Sequence, residues 1–159
     1  MMNLKENILI LHNIRSTQNV GAMFRTADAA GIDKIYLTGY TPAPIDRFGK
    51  KRSDIAKSAL GAEDFMPWES RKSLSSLIVK LKKENYLIIG IEQSKKSVIY
   101  KKVKLQVKNA FIVGAEVTGI PENILNKCDV IAEIPMKGKK ESLNVSVACG
   151  IALFGILNI

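Results

Sequence analysis

The sequence predicts an α/β protein with a mostly parallel sheet and helices on both faces of that sheet. Short apolar runs alternate along the chain with segments of helical periodicity, which is the order of elements in a parallel α/β sheet. The apolar runs are short enough to be buried strands. The expected strands are Asn7 to Leu11, Lys34 to Leu37, Tyr86 to Ile91, Ala110 to Val113 and Asp129 to Ile134.

The first helix is predicted by apolar residues at helical spacing. Val20 is followed by Met23, Phe24 and Ala27 on one face. Gly31 would end this helix, because glycine is the residue that most often terminates a helical segment.

Three later segments complete the expected order of elements. Ser70 to Asn85 carries leucine and isoleucine on one face and lysines near its carboxyl end, which favours a helix. Gly39 to Ser53 is rich in proline, glycine and basic residues, and so long a loop in a compact domain is usually functional or mobile. Val145 to Leu157 predicts a helix that is apolar nearly all round.

Such an apolar helix must be covered on both sides. In a small protein the cover that we favour is a second copy of the chain, which predicts a homodimer. The alternative is a central core helix within a monomer.

Length and charge limit the classes of function. The chain has 159 residues, so we expect a single domain over 1–159 with no second catalytic module and no appended RNA-binding domain. Its 24 Lys and Arg against 15 Asp and Glu give a formal charge of +9, which favours a polyanionic partner such as nucleic acid. The alternative is a soluble protein that is merely rich in lysine.

Few residues suited to metal or redox chemistry are present. The histidine His12 is the only one in the sequence, so neither a zinc site nor a Ser-His-Asp triad is expected, and it should pack at a strand end. Cys128 and Cys149 lie among apolar neighbours, as buried thiols of a cytoplasmic protein would. No apolar run reaches membrane-spanning length, so no membrane partner is expected.

The segment from Ile134 to Ala148 is the most informative one. A strand-like run ends at a proline, crosses a basic glycine turn and enters the last helix through Ser142, Leu143 and Asn144. One N-cap side chain is enough for a helix, and Ser142 alone would satisfy that rule. Because Asn144 and Ser146 crowd the same entrance, we expect a binding site there.

A second informative segment, Asn19 to Ala27, opens the first helix. Its Gly21 allows another backbone or a ligand to approach closely. Its Arg25 carries a guanidinium group that can bind a phosphate through two hydrogen bonds. The alternative for Arg25 is a surface ion pair, for instance with Asp28.

The third segment, Val113 to Pro121, follows the fourth expected strand. In open α/β sheets, ligands bind at the carboxyl ends of the strands, which is where this glycine-rich turn should lie. Glu116 within it is a weak signal when taken alone, since such a residue is more often a helix cap or a solvated charge.

The three segments together resemble a known family. In order along the chain they read Asn-x-Gly-x-x-x-Arg-Thr-Ala, Gly-x-Glu-x-x-Gly-Ile and Ile-Pro-Met-x-Gly-x-x-x-Ser-Leu-Asn-Val-Ser-Val-Ala. These patterns resemble the motifs of the SpoU, or TrmH-like, RNA 2′-O-ribose methyltransferases of the SPOUT superfamily. The resemblance also takes in Lys57 to Ala62.

This resemblance implies a fold, a cofactor and a partner. The fold would end in a C-terminal trefoil knot, the cofactor would be S-adenosylmethionine (AdoMet), and the protein would act as a homodimer on RNA. Val117 and Ala115 depart from the residues that are commoner in the family, which makes the cofactor geometry of that loop less certain. By position in the motifs, the cofactor-binding residues would be Gly114, Ala115, Ile134, Met136 and Leu143.

The resemblance also assigns the catalytic arrangement to Arg25, Asn19, Glu116, Ser142 and Asn144. A guanidinium group hardly loses its proton. We therefore expect Arg25 to bind the RNA phosphate and stabilise the developing 2′-alkoxide, while Asn19 holds Arg25 or the ribose in place. The alternative implied by the resemblance is that Arg25, the family's candidate for proton removal, acts as the base. Glu116, Ser142 and Asn144 would orient the cofactor and the arginine.

The RNA substrate is expected to be tRNA, at a guanosine-type site, rather than rRNA, because no separate RNA-binding domain is expected. The alternatives are a ribosomal RNA 2′-O-methyltransferase and a non-catalytic RNA-binding module. About half of the candidate phosphate contacts would be ordinary solvated side chains. These candidates are Arg15, Arg47, Lys50, Lys51, Arg52, Lys57, Lys137, Lys139 and Lys140.

Overall fold

Seven strands form the centre of the molecule. The structure, a computed structural model, describes residues 4–159. The strands are β1 (Glu6–His12), β2 (Lys34–Thr38), β3 (Trp68–Arg71), β4 (Leu87–Ile91), β5 (Val98–Ile99), β6 (Lys108–Val113) and β7 (Val130–Glu133). They form one sheet in the order β3-β2-β1-β6-β4-β7-β5, and every pair of neighbours is parallel. The predicted parallel sheet is confirmed.

Helices cover both faces of this sheet, as predicted. They are α1 (Thr17–Ala29), α2 (Ser53–Ala59), α3 (Ala62–Phe65), α4 (Leu74–Lys83), α5 (Glu122–Leu125) and α6 (Val145–Leu157). One hydrophobic cluster contains buried residues of α1, α2, α3 and α6, and the other contains those of α4 and α5. The trefoil knot that the family resemblance implies stays a prediction.

The central strand β1 shows why the sheet is buried on both faces. Leu9 and Leu11 belong to the cluster beneath α1 and α6, whereas Ile8 and Ile10 belong to the cluster beneath α4. Successive side chains of a strand point to opposite faces, so an unbroken apolar run supplies both cores.

The structure differs from the expected elements at the sheet edges and in one helix. The helix expected from Ser70 to Asn85 is shorter, because Trp68–Arg71 form β3 and the helix begins only at Leu74, after the N-cap Ser73. The strands β3 and β5 had no counterpart in the prediction. Both are short, lie at the edges of the sheet and contain no buried residue, so they lack the apolar run that marks a buried strand.

Gly21 allows α1 and α2 to pack closely. A Cβ atom at this position would collide with the Ile55 carbonyl oxygen and the Ser58 hydroxyl of α2. The expected close approach is therefore made by another backbone. It fixes α2, and with it the Lys57 to Ala62 segment, against the first helix.

The last helix, α6, begins and ends as predicted. Cys149 and Leu153 lie on its buried face, with Ala152 and Ile156. Its opposite face leaves Val147, Ile151 and Phe154 exposed by 48, 38 and 38%. The alternative of a core helix covered on all sides within one chain is therefore wrong. No helix of residues 4–159 is long and apolar enough to cross a membrane.

Candidate active site

A cavity of about 380 Å³ opens at the carboxyl ends of β4, β6 and β7. Because these strands are parallel, the segments that follow them leave the same edge of the sheet. All of the residues that the resemblance assigns to the cofactor line this cavity, namely Gly114, Ala115, Ile134, Met136 and Leu143. The structure thus brings together residues from two separate motifs around one space.

The backbone of the second motif forms one wall of the cavity. Ala115 and Gly119 pair as an isolated antiparallel bridge, and Gly119 has a φ of +67°, which favours glycine. A Cβ at Gly114 would collide with the backbone of Gly119 and Ile120. This turn is therefore packed backbone against backbone, and glycine is required at its first position.

Glu92 and Gln93 also line the cavity, although the sequence analysis did not single them out. The Glu92 carboxylate accepts a hydrogen bond from the Ile120 N–H at 3.0 Å. The Gln93 side chain donates to the carbonyl oxygen of Glu141 at 2.8 Å. Polar residues directly after the third expected strand were the available signal, since the carboxyl end of that strand faces the same edge.

Glu116 binds the beginning of α1. Its carboxylate accepts hydrogen bonds from the backbone N–H groups of Arg15 at 3.1 Å and Ser16 at 3.0 Å, and from the Asn19 side-chain amide at 3.3 Å. Ser16 is the N-cap residue of this helix. Glu116 therefore holds the segment that leads into α1, whereas the cap of this helix is the Ser16 hydroxyl, which accepts from the Asn19 N–H.

These contacts change the pKa of Glu116. Burial by itself raises the pKa of this carboxyl group, but hydrogen bonds from the N–H groups of Ser16 and Arg15 act in the opposite direction, and the net effect is a lowered pKa. Glu116 is consequently ionised at neutral pH. A negative charge near the amino end of α1 also interacts favourably with the helix dipole.

The N-cap of α6 is Asn144 and not Ser142. The Asn144 carboxamide oxygen accepts hydrogen bonds from the N–H groups of Ser146 at 2.9 Å and Val147 at 3.3 Å. It also accepts one from the Ser146 hydroxyl at 2.6 Å. Ser142 instead lines the cavity two residues before the cap.

Asn144 also links the third motif to the first. Its amide nitrogen donates to the Asn19 carboxamide oxygen at 3.3 Å, while the Asn19 amide nitrogen donates to Glu116. One residue of each motif therefore belongs to a continuous chain of hydrogen bonds. These hydrogen bonds join the starts of α1 and α6 to the turn after β6.

Arg25 stands apart from this network. It is exposed, it lines neither the cavity nor the hollow described next, and it forms no ion pair or side-chain hydrogen bond within residues 4–159. The suggested ion pair with Asp28 is therefore absent from this part of the chain. At about 100° per residue, Arg25 lies about 120° around α1 from Asn19.

A second hollow of about 370 Å³ lies beside the cavity. It is lined by Arg15, Ser16 and Tyr40, and it shares the segment 115–118 with the cavity. The Tyr40 side chain is more than half exposed, and its backbone N–H donates to the Asn13 side chain at 3.2 Å. One short segment therefore separates two neighbouring spaces.

The candidate phosphate contacts fall into two groups. Lys51 pairs with Asp64 at 2.6 Å, and Arg52 pairs with Asp54 at 2.9 Å. The others are exposed and form no ion pair among the described residues; they are Arg15, Arg47, Lys50, Lys57, Lys137, Lys139 and Lys140.

His12 and Cys149 lie as expected from the sequence, whereas Cys128, also expected to be buried, is only partly so. His12 ends β1, and its Nδ1 lies 2.8 Å from the Thr38 hydroxyl oxygen; burial lowers its pKa. Cys149 is fully buried and Cys128 is partly buried. Burial raises the pKa of the two thiols to about 12 and about 11, which favours the protonated form.

Comparisons with known proteins agree with the arrangement of the motifs. The model of the SpoU rRNA Methylase family matches residues 6–154. The chain belongs to this family. Among curated relatives, it is 33% identical over 147 residues to the 23S rRNA (guanosine-2′-O-)-methyltransferase RlmB of Xylella fastidiosa. The match covers 92% of this chain and 56% of that protein, so the chain spans about half the length of this relative.

Two solved structures have a TM-score of 0.83 with this chain. One is an AdoMet-bound rRNA methyltransferase from Sinorhizobium meliloti, which is 25% identical; the match covers 96% of this chain and 56% of that one. The other is the TrmH/SpoU tRNA modifying enzyme of A. aeolicus, which is 27% identical; the match covers 97% of this chain and 75% of that one.

Proposed function

We propose that this SpoU family protein is an AdoMet-dependent RNA 2′-O-ribose methyltransferase that acts on ribosomal RNA. The observation that carries the proposal is the convergence of the three motif segments at one edge of the sheet, around a cavity and a neighbouring hollow. The curated relative named above is a guanosine-2′-O-methyltransferase of 23S rRNA. This favours rRNA over the tRNA substrate expected from the sequence.

The cavity suits AdoMet in both its walls and its chemistry. Ile134, Leu143 and Met136 supply apolar side chains to the cavity wall. The tight turn at Gly114 contributes backbone atoms instead of a side chain. When bound, AdoMet would supply a methyl group on a positively charged sulfur; the ribose 2′-oxygen would bond to the methyl carbon as the carbon–sulfur bond breaks, with the neutral thioether as the leaving group. The chain must then position the ribose and assist loss of the 2′ proton.

The second hollow is the proposed position of the target ribose. It shares the segment 115–118 with the cofactor cavity, so a nucleoside in it would lie next to bound AdoMet. The shared segment includes Ala115 and Val117, which depart from the family pattern. Their side chains would set the distance between the two reactants.

Arg25 is proposed to bind an RNA phosphate and to stabilise negative charge on the 2′-oxygen. Its guanidinium keeps its proton, which excludes it as the base, but it can donate several hydrogen bonds. It forms no ion pair within the described chain, which leaves it available for an anion. The 2′ proton would leave to the phosphate or to water.

Glu116, Asn19 and Asn144 are proposed as positioning residues. Their hydrogen-bond chain fixes the start of α1 relative to the turn after β6 and the start of α6. Ser142 lines the cofactor cavity and is proposed to orient the cofactor through its hydroxyl. None of these residues needs to exchange a proton with the substrate.

A homodimer is proposed as the active form, with the exposed face of α6 as part of the contact. Val147, Ile151 and Phe154 form an apolar stripe on a helix whose opposite face is already buried. Arg25 lines neither the cavity nor the hollow of its own chain. In the proposed dimer, Arg25 of one copy would reach the site of the other copy.

Substitution of Ile151 by glutamate tests the dimer. A charge in this stripe should convert the protein to monomers in analytical ultracentrifugation and reduce methyl transfer. The control is Val79→Glu, on the exposed side of α4, where a valine is 49% exposed. A dimer that persists in Ile151→Glu would place the contact elsewhere.

Methyl transfer to RNA tests the function itself. Purified protein is incubated with methyl-labelled AdoMet and either rRNA or tRNA from cells that lack this gene, and the digested nucleosides are analysed. We expect label in a 2′-O-methylated nucleoside of rRNA. Label in tRNA alone would support the second candidate, a tRNA enzyme, which the A. aeolicus structure favours. RNA binding without transfer would support a non-catalytic binding module.

A further inference from the structure

A short hairpin between β2 and α2 presents a phenylalanine to solvent. Ile45 and Lys51 pair in an antiparallel bridge, and Phe48 lies at the tip between them. The Phe48 side chain is 79% exposed, more than any other aromatic residue in the described chain. A single exposed apolar side chain needs no explanation, so the surroundings of Phe48 decide whether it has a role.

The hairpin is held by its own hydrogen bonds. The Asp46 carboxylate accepts the N–H groups of Phe48 at 2.8 Å and Lys50 at 3.0 Å. The Asp46 N–H donates to the Lys50 carbonyl at 2.8 Å, and the Gly49 N–H donates to the Asp46 carbonyl at 3.0 Å. Gly49 has a φ of +78°, which suits glycine in such a turn. Phe48 is therefore held outward by an ordered turn.

An ion pair attaches the hairpin to the rest of the protein. Lys51 pairs with Asp64 of the α3 helix, whereas Arg52 follows the hairpin and pairs with Asp54 at the start of α2. Lys51 therefore anchors the hairpin, although it was predicted as a phosphate contact. A ligand that binds at the tip would therefore contact a hairpin that is held in place by the rest of the protein.

The remaining cations flank Phe48. The Arg47 guanidinium carbon lies 4.7 Å from the centroid of the Phe48 ring. Arg47 and Lys50 form no ion pair within residues 4–159. Arg47 covers one face of the ring, and an exposed aromatic ring with cations nearby in the same hairpin is typical of sites where a nucleobase stacks on the free face and the adjoining phosphates bind the cations.

From this geometry we infer that the hairpin 45–51 is a second RNA contact, in which Phe48 stacks on an unpaired base while Arg47 and Lys50 bind the phosphates beside it. This inference rests on the proposed RNA substrate and names a recognition element outside the cavity and the hollow. Charge decides between RNA and a second copy of the chain as the occupant. A symmetric contact between two hairpins would bring the unpaired cations Arg47 and Lys50 of each copy together, whereas RNA supplies the opposite charge.

The test is fluorescence anisotropy with a labelled mixed-sequence single-stranded RNA and with the same strand in a duplex, without cofactor. Stacking of one base on an aromatic side chain contributes about 1–3 kcal/mol. At about 1.4 kcal/mol per tenfold change, Phe48→Ala should weaken single-strand binding about 5- to 140-fold. Phe48→Tyr should restore it, and duplex binding should change little.

The matched control is Phe65→Ala. Phe65 is also exposed, by 64%, but it follows the acidic residues Glu63 and Asp64. We expect this variant to bind RNA as the wild type does. Arg47→Ala should lower the slope of log affinity against log salt by about 1, whereas Phe48→Ala should leave that slope unchanged.

Two results would overturn the inference. One is single-strand affinity that is equal in Phe48→Ala and the wild type. The other is loss of the dimer in Phe48→Ala with unchanged RNA affinity per subunit, which would make the hairpin a contact between subunits. If the wild type binds neither RNA form, the proposed function fails with it, so the two failures are distinguishable.

Discussion

The beginning of α1 and its later turns differ in how far the chain itself satisfies their polar groups. At the beginning, Ser16 caps the helix, and Glu116 accepts hydrogen bonds from Arg15, Ser16 and Asn19. Further along the same helix, Arg25 is exposed and forms no ion pair with any described residue. Asn19 and Arg25 nevertheless belong to the same motif.

This contrast separates two tasks of the site. The beginning of α1 is fixed to the turn that forms one wall of the proposed cofactor cavity. Arg25 is exposed and carries a charge that a phosphate, another anion or a second chain can bind. We therefore expect substitutions at the two ends to affect different steps.

The largest effect is expected for Arg25, which has no ion-pair partner among the described residues. Arg25→Ala removes the proposed phosphate and alkoxide contact, so methyl transfer to RNA should fall on the order of 10²- to 10³-fold. Turnover with labelled AdoMet measures this loss. The control is Arg71→Ala, at the far edge of the sheet, where the arginine pairs with Glu69 and should not affect turnover. Equal turnover in Arg25→Ala and the wild type would contradict the assignment.

The next effect concerns the cavity wall. In Gly114→Ala the added Cβ would collide with the backbone of Gly119, so the turn must shift. We expect a loss of about 1–3 kcal/mol of unfolding free energy and weaker AdoMet binding. Gly138→Ala is the matched control, because a Cβ there meets nothing within 4 Å. Similar denaturant midpoints and AdoMet affinities in both variants would show that the turn tolerates bulk.

A smaller effect distinguishes the cap from its neighbour. Asn144→Ala removes the N-cap of α6 and the hydrogen bond to Asn19, so unfolding in urea should reveal a loss of about 1 kcal/mol. Ser142→Ala should stay within about 0.5 kcal/mol of the wild type, because Ser142 is exposed and does not cap the helix. The reverse order of stabilities would return the capping role to Ser142.

The smallest effect is a pH dependence of stability that arises from Glu116 at the beginning of α1. The pKa of Glu116 is lowered in the fold from an ordinary value of 4.5. Its ionised form therefore stabilises the folded chain above about pH 4.5, and this contribution is lost as the pH falls through the lower folded value. The difference in unfolding free energy between the wild type and Glu116→Gln should shrink over that range. A difference that is independent of pH would argue against an ionised Glu116 at the helix start.

The sequence predicted more about the site's residues than about their partners. The assigned cofactor residues line one cavity because a motif with fixed spacing specifies its local backbone. The bond between Asn19 and Glu116 joins residues 97 positions apart, which no local pattern indicates. The cap of α6 was equally hidden, since Ser and Asn have similar preferences for that position.

The fold shows the same division. Central strands such as β1 and β6 were predicted because burial on both faces requires a continuous apolar run. The edge strands β3 and β5 are short and partly exposed, so their sequences resemble loops. Contacts at the sheet edges and between distant segments depend on the assembled structure.

Calorimetric titration of AdoMet into Arg25→Ala and the wild type most directly tests the claim that the beginning of α1 supports the cofactor cavity while Arg25 serves RNA. If the cofactor cavity is complete without Arg25, both proteins should bind AdoMet with the same affinity, within about twofold, while only the wild type methylates RNA. Loss of AdoMet affinity in Arg25→Ala would contradict the separation of the cofactor site from the RNA-binding end of the helix.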